Sequence, residues 1–157
     1  MEKSQVVHHT FEIERTYPVP VERVFAAFSD PAKKRRWYGE RGNHEVEDFE
    51  HDFRVGGIER LRYRFKEGTP FPGLIILNEG TYRDLVPGER IVTASTMSFM
   101  EKPISVSLVT FQFIARDGAT DLICTHQGAF FEGSDGPEMR EAGWVTLLDR
   151  LRDEVAS

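Results

Sequence analysis

The chain has 157 residues, a formal net charge of −6 and a single cysteine. That length suits one domain able to bury about two-thirds of its unfolded surface, so residues 1–157 are read as one unit with a frayed, polar stretch at 1–5. The acidic balance argues against general nucleic-acid binding, and lone Cys124 rules out an internal disulfide or a paired-cysteine zinc site. With no signal-peptide pattern and no run of about 18 apolar residues, a cytoplasmic protein without membrane insertion is expected.

Residues 7–17 alternate apolar Val7, Phe11 and Ile13 with His8, Thr10, Glu12 and Glu14, which predicts a half-buried strand stopped by Pro18 and Pro20. A short helix follows with Val24, Phe25 and Phe28 on its apolar face. Ser29-Asp30-Pro31 breaks it and caps a second short helix ending near Trp37 and Gly39. Residues 44–53 are acidic, with Val46, Phe49 and Phe53 as apolar members, and are read as a strand. Gly56-Gly57 marks a tight turn or bulge. After it Leu61, Tyr63 and Phe65 oppose Arg60, Arg62 and Arg64, a strand with one wet face. Further strands are predicted at 74–85, interrupted at Gly80, at 91–100, at 104–115 after a break at Lys102-Pro103, and at 121–131. Arg116-Asp117-Gly118 forms the last hairpin turn.

Residues 138–155 carry the best helical signal. Trp144, Leu147, Leu148, Leu151 and Val155 share one stripe, Asp135 and Glu138 resemble a capping box, and Pro137 suits the first turn. Gly143 costs roughly 1 kcal/mol against Ala in a helix, which usually signals close approach or a bend. Arg140 projects within the apolar sector, either as a snorkelling first-turn arginine or because that half of the helix faces a space that is not solid core. Strands followed by a segregated helix make an α+β protein with the helix on one sheet face.

These segments resemble a known family. VERVFAAFSDPAKKRRWYG looks like its opening signature; DFRVGG, GTYRDLVPGERIV, VTFQF, the hairpin from Gly118 to Thr125 and GWVTLLDRL are similar to its later blocks, in the same order. The family is the bacterial group of homologues of the activator of the heat-shock protein 90 ATPase, within the START-like, Bet v 1-like (SRPBCC) superfamily. The resemblance spans roughly residues 8–155. It implies a helix-grip fold: a curved antiparallel sheet of about six to seven strands around a long C-terminal helix, two short helices after the first strand, and an apolar cavity between helix and sheet. It does not imply a reaction, since most members bind, carry or sense small apolar molecules and a minority act as cyclases, dehydratases or hydrolases. The eukaryotic activator has an additional N-terminal domain with no counterpart in these residues, so chaperone stimulation is not carried over.

On the curved sheet so implied, the cavity lining is expected from Trp37, Phe49, Glu59, Leu61, Tyr63, Tyr82, Met97, Phe99, Phe111, His126, Arg140 and Trp144. Glu59 shares parity with Leu61 and Tyr63, so it is a candidate inward acid or base, or an ion-pair partner for Arg140; Glu79 has the same ambiguity. His126 serves as a polar handle or a satisfied core histidine. Cys124 and His126 lie two apart on one strand face, but nothing supplies an oxyanion hole or orienting group, and a buried small hydrophobe is the plainer role for Cys124. His44, His51 and the acidic residues around them lack metal-ligand spacing, so no metal and no cofactor are expected. The expected function is non-enzymatic binding of a small apolar or aromatic molecule. An enzyme using Glu59 or His126, and a chaperone-cofactor-like or homodimeric interaction module, stay open as alternatives.

Overall fold

The computed structural model describes residues 5–157. The expectation for residues 1–4 lies outside them; at Gln5 the backbone N–H donates to Glu132 Oε1 at 3.2 Å. The strands are β1 (Val7–Tyr17), β2 (His44–His51), β3 (Ile58–Phe65), β4 (Ile75–Val86), β5 (Arg90–Phe99), β6 (Lys102–Arg116) and β7 (Ala119–Phe130). The helices are α1 (Val21–Ser29), α2 (Pro31–Lys34), which widens into a π-helical turn over Arg35–Glu40, and α3 (Pro137–Ala156). The sheet is antiparallel throughout, in the order β1-β7-β6-β5-β4-β3-β2. It curves around α3 in a helix-grip fold.

Period-two alternation decides which side chains enter the grip. Phe11, Ile13 and Tyr17 of β1, Val109, Phe111 and Phe113 of β6, and Leu122 and Cys124 of β7 are buried. Phe28 is the hinge of the solid half of the core, with Trp37, Phe111 and Phe113 rings at 5.1, 4.8 and 5.3 Å. Leu148, Leu151 and Val155 of α3 close this half. Tyr17 donates its hydroxyl to Leu148 O at 3.0 Å, tying the first strand to the last helix. Arg36 grips Glu154 with two hydrogen bonds, at 3.1 and 2.8 Å. The outward arginines of β3 meet acids on neighbouring strands, Arg60 with Glu50 and Glu79, Arg62 and Arg64 with Glu47.

Several sequence expectations need correction. Lys102-Pro103 is not a break: the turn sits at Met100 and Glu101, both with positive φ (49° and 71°), and Pro103 is tolerated beside the bulge at Met97/Ser98. β4 runs uninterrupted through Gly80, where a Cβ would collide with the Ala94 carbonyl oxygen. The acidic strand ends at His51, short of Phe53. Asp135 and Glu138 form no capping box. The residue before α3 is Gly136 at φ 85°, and the Asp135 carboxylate is taken by Arg140 instead. At Gly143 nothing lies within 4 Å of the place a methyl group would occupy, so close approach does not explain that glycine.

Candidate functional site

α3 has two surroundings. Leu148, Leu151 and Val155 are buried in the core, whereas Gly143, Trp144, Leu147 and Arg150 border a cavity of about 670 Å³ between helix and sheet. The floor comes from the inward faces of five strands, including Leu61, Tyr63 and Phe65 of β3, Ile76 and Asn78 of β4, Met97 and Phe99 of β5, Ser107 and Val109 of β6, and His126 of β7. Phe71 and Met139, 53% and 67% exposed, stand at its rim. Such a volume, apolar with a few polar groups, falls within the usual range of small-molecule sites, about 300–1,000 Å³.

The polar groups have distinct states. Arg140 is 7% exposed and does not snorkel. Its Nε and Nη2 each donate to Asp135 at 2.8 Å, Nη2 also reaches Ser105 Oγ at 2.9 Å, and the guanidinium lies 5.1 Å from the Phe130 ring centre. This pair is charge-balanced, and the arginine holds the Asp135 carboxyl below its ordinary range despite burial. His126, 1% exposed, stacks at 4.6 Å on Phe11 and at 6.0 Å on Phe130. Burial, reinforced by Arg140, pushes its pKa down to about 4, so the ring is neutral near pH 7. Neither His126 Nδ1 nor Ser107 Oγ has a hydrogen-bond partner among the described residues. Buried polar atoms are rarely left so, and both side chains border the cavity.

A small polar recess of about 20 Å³, room for about one water molecule, adjoins the main cavity behind Tyr38 and Trp144. Glu59 lies there, paired with Lys34 Nζ at 3.4 Å rather than with Arg140. Lys34 is itself buried, its ammonium 4.6 Å from the Tyr38 ring centre and 5.4 Å from those of Phe28 and Trp37. Asn78 Nδ2 donates to the Tyr38 hydroxyl at 2.6 Å. Burial, with Glu59 nearby, raises the Tyr38 pKa well above the ordinary phenol range.

Of the twelve residues expected at the site, Leu61, Tyr63, Met97, Phe99, His126, Arg140 and Trp144 border the main cavity, and Glu59 and Phe111 border the recess. Three lie elsewhere. Trp37 is fully buried in the solid core and donates Nε1–H to Ala27 O at 2.8 Å. Phe49 sits beside His51 and under Arg35. Tyr82 is buried, sharing a hydrogen bond of 2.8 Å with His51 Nδ1. Alternation puts Tyr82 on the inner face, where it does lie, but helices α1 and α2 fill that end of the grip. Glu79 points outward to Arg60. Cys124 is fully buried, and burial alone drives its thiol up to about 12, so it is no thiolate nucleophile at neutral pH. The three histidines of the sequence argument are dispersed: His44 Nε2 donates to Gly39 O, His51 meets Tyr82, and His126 lies on the cavity floor. Among the described residues no three His, Cys, Asp or Glu side chains converge as a metal site.

Sequence reasoning missed Tyr38, Asn78, Asp135 and Arg150. Asn78 and Arg150 were within reach, since Asn78 shares parity with Tyr82 and Arg150 lies three residues beyond Leu147. Tyr38 was not. The π turn buries Trp37, Tyr38 and Gly39 in succession, which ordinary helical spacing does not allow for.

The family model described as "Activator of Hsp90 ATPase homolog 1-like protein" matches residues 18–156. The chain belongs to this family. Among solved structures it is similar to a protein of Rhizobium leguminosarum, with 34% identity, 99% of each chain covered and a TM-score of 0.90. The Mll3558 protein of Rhizobium loti is 41% identical, with 96% of this chain and 99% of that chain covered and a TM-score of 0.82. The AHSA1-like protein of Aeromonas hydrophila is 22% identical, with coverage of 94% and 92% and a TM-score of 0.67, a likeness that speaks for the fold alone. No curated protein matches the chain. Membership fits a ligand-binding or chaperone-cofactor-like domain and names no ligand. No helix among the described residues is long and apolar enough to cross a membrane.

Proposed function

We propose that this protein binds a small, mostly apolar or aromatic molecule under the N-terminal half of α3 and does not transform it. The observation that carries this reading is the 670 Å³ apolar cavity whose floor holds two unpaired buried polar atoms, His126 Nδ1 and Ser107 Oγ. An occupant with one hydroxyl or amide against them and an apolar body against Tyr63, Met97, Phe99 and Trp144 would satisfy both and fill the space. The catalytic alternative, through Glu59 or His126, finds less support: Glu59 is held by Lys34 in the recess, and no neighbouring acid or base orients His126 Nδ1 among the described residues.

Native mass spectrometry of freshly purified protein tests the proposal. A bound mass released on denaturation is expected. Protein that carries no adduct, and whose unfolding midpoint no member of an apolar and aromatic compound panel shifts, would overturn it. The family match also motivates a chaperone-cofactor reading. An ATPase assay with the cognate chaperone tests that, and an unchanged rate disposes of it.

A further inference from the structure

The cavity carries two arginines with opposite surroundings. Arg140 is neutralised by Asp135. Arg150, ten residues on along α3, borders the same cavity and has no carboxylate within 4 Å and no hydrogen-bond partner among the described residues. About 15 Å of helix separates the two positions. Arg150 is half-buried, and its guanidinium reaches toward Gly42, where a Cβ would lie 3.3 Å from Nη2. Burial and the nearby charge of Arg41 press its pKa below the ordinary guanidinium value, though it remains a cation.

The groups around it do not compensate. Of the acids within one turn of it on α3, Asp153 is held by Arg41 at 3.4 Å, Glu154 by Arg36 at 2.8 Å, and Asp149 faces Arg15 at 4.0 Å. His44, whose ring would meet the same Gly42 Cβ, has its pKa lowered by burial and by the charges of Arg150 and Lys66. Tyr63, half-buried, has its hydroxyl pushed up to about 12 by desolvation and stays neutral. A chain with net charge −6 therefore sets one uncompensated cation, Arg150, on the border of an apolar cavity. A partly desolvated guanidinium without a counter-charge is unfavourable, and an anionic group on the cavity's occupant relieves it with one or two charge-assisted hydrogen bonds.

We propose that the occupant is an anionic amphiphile, its apolar body in the cavity between sheet and α3 and its carboxylate or equivalent head at Arg150. This rests on the binding reading above and specifies the ligand's charge and orientation. At the other end of the body, His126 and Ser107 accommodate at most a neutral polar group, because the Arg140–Asp135 pair is already balanced.

The test uses matched pairs that differ only in the head: decanoate against decanol, and 2-naphthoate against 2-naphthol. Each is titrated into wild-type protein and into Arg150→Gln, with binding read from Trp fluorescence and from calorimetry. Arg150 makes no intramolecular polar contact and its partly desolvated charge is unfavourable, so the urea midpoint of Arg150→Gln should equal or exceed that of wild type. Within at least one pair the anion should bind wild type about 10-fold more tightly than the alcohol, the size of one charge-assisted hydrogen bond. In Arg150→Gln that preference should fall to about one, with the alcohol's affinity unchanged. The difference between pairs reports whether the body is aliphatic or aromatic. Equal affinity of anion and alcohol in both pairs, or a preference that survives Arg150→Gln, overturns the anionic head and leaves the cavity reading standing. Absence of binding by all four probes overturns the anionic amphiphile, and together with no co-purified adduct and no shift from the compound panel it overturns the cavity reading as well.

Discussion

His126 offers a sharp test of how dry the cavity floor is. Its folded-state pKa is pushed from 6.5 down to about 4, chiefly by burial. A depressed histidine pKa means that the unfolded chain takes up the proton first as pH falls. Stability is therefore lost on acidification, starting near pH 6.5 and levelling off near pH 4. Fully expressed, the gap corresponds to about 3 kcal/mol, and at pH 5.0 about 2 kcal/mol of it has already gone. His44 and His51 are shifted in the same direction by burial, so the whole-protein curve contains more than one histidine. The His126→Phe variant isolates the one of interest. Phenylalanine keeps the stack between Phe11 and Phe130, and the adjoining cavity leaves room for the larger ring. Urea unfolding at pH 7.5 and 5.0 should show wild type losing about 2 kcal/mol more than His126→Phe between the two conditions. Equal losses in both proteins would refute the reasoning, since they would mean that His126 is hydrated or protonates without penalty.

Trp144 has rings of Tyr38 and Phe111 on one side and the cavity on the other. Trp144→Ala should therefore cost about 2 kcal/mol in urea unfolding, below the 3–5 expected for an enclosed ring, and should weaken binding of any cavity ligand. Lys34→Met strands Glu59 in a buried recess and should cost about 3 kcal/mol by the same assay, whereas Lys34→Met with Glu59→Leu should recover most of the loss. Equal losses for the single and double variants would show that the ion pair is not the source. Gly80→Ala drives a methyl group into the Ala94 carbonyl, where backbone must move, and should cost about 3 kcal/mol or leave the protein insoluble on expression; a midpoint within error of wild type would count against the tight β4–β5 approach.

Much of the architecture can be read from period alone, because a sheet with one buried face writes its alternation into the sequence. Phe11 and Ile13, Leu61 and Tyr63, and Leu122 and Cys124 all point where alternation puts them. What period cannot say is which end of the grip is filled. Tyr82 and Met97 are both inward aromatic or soft side chains on adjacent strands, yet one meets Phe53 and His51 in solid packing and the other borders the cavity. The difference lies in where the short helices sit, a tertiary fact. Pairing of charges was equally hidden. Arg140 had an acid five residues before it, at Asp135, but that acid also suited a helix cap, and local cap logic points to the wrong use. Lys34 sits in a basic run, KKRR, whose composition says surface, and it is 3% exposed. Trp37 and Tyr38, three and four residues on in the same helical stretch, Phe28 from α1 and the Glu59 carboxylate from β3 together account for that burial.

The glycine midway along α3 sets a dimension rather than a shape. At position 143 a methyl group would meet no neighbour within 4 Å, so alanine there should firm the helix by about 1 kcal/mol and remove only a sliver of the chamber. Leucine or phenylalanine at the same place would cut the chamber down by most of its own bulk, with the sheet and the packed far half of the helix untouched. Selectivity for occupant size can thus drift, or be engineered, through one codon that the folding of the chain does not police.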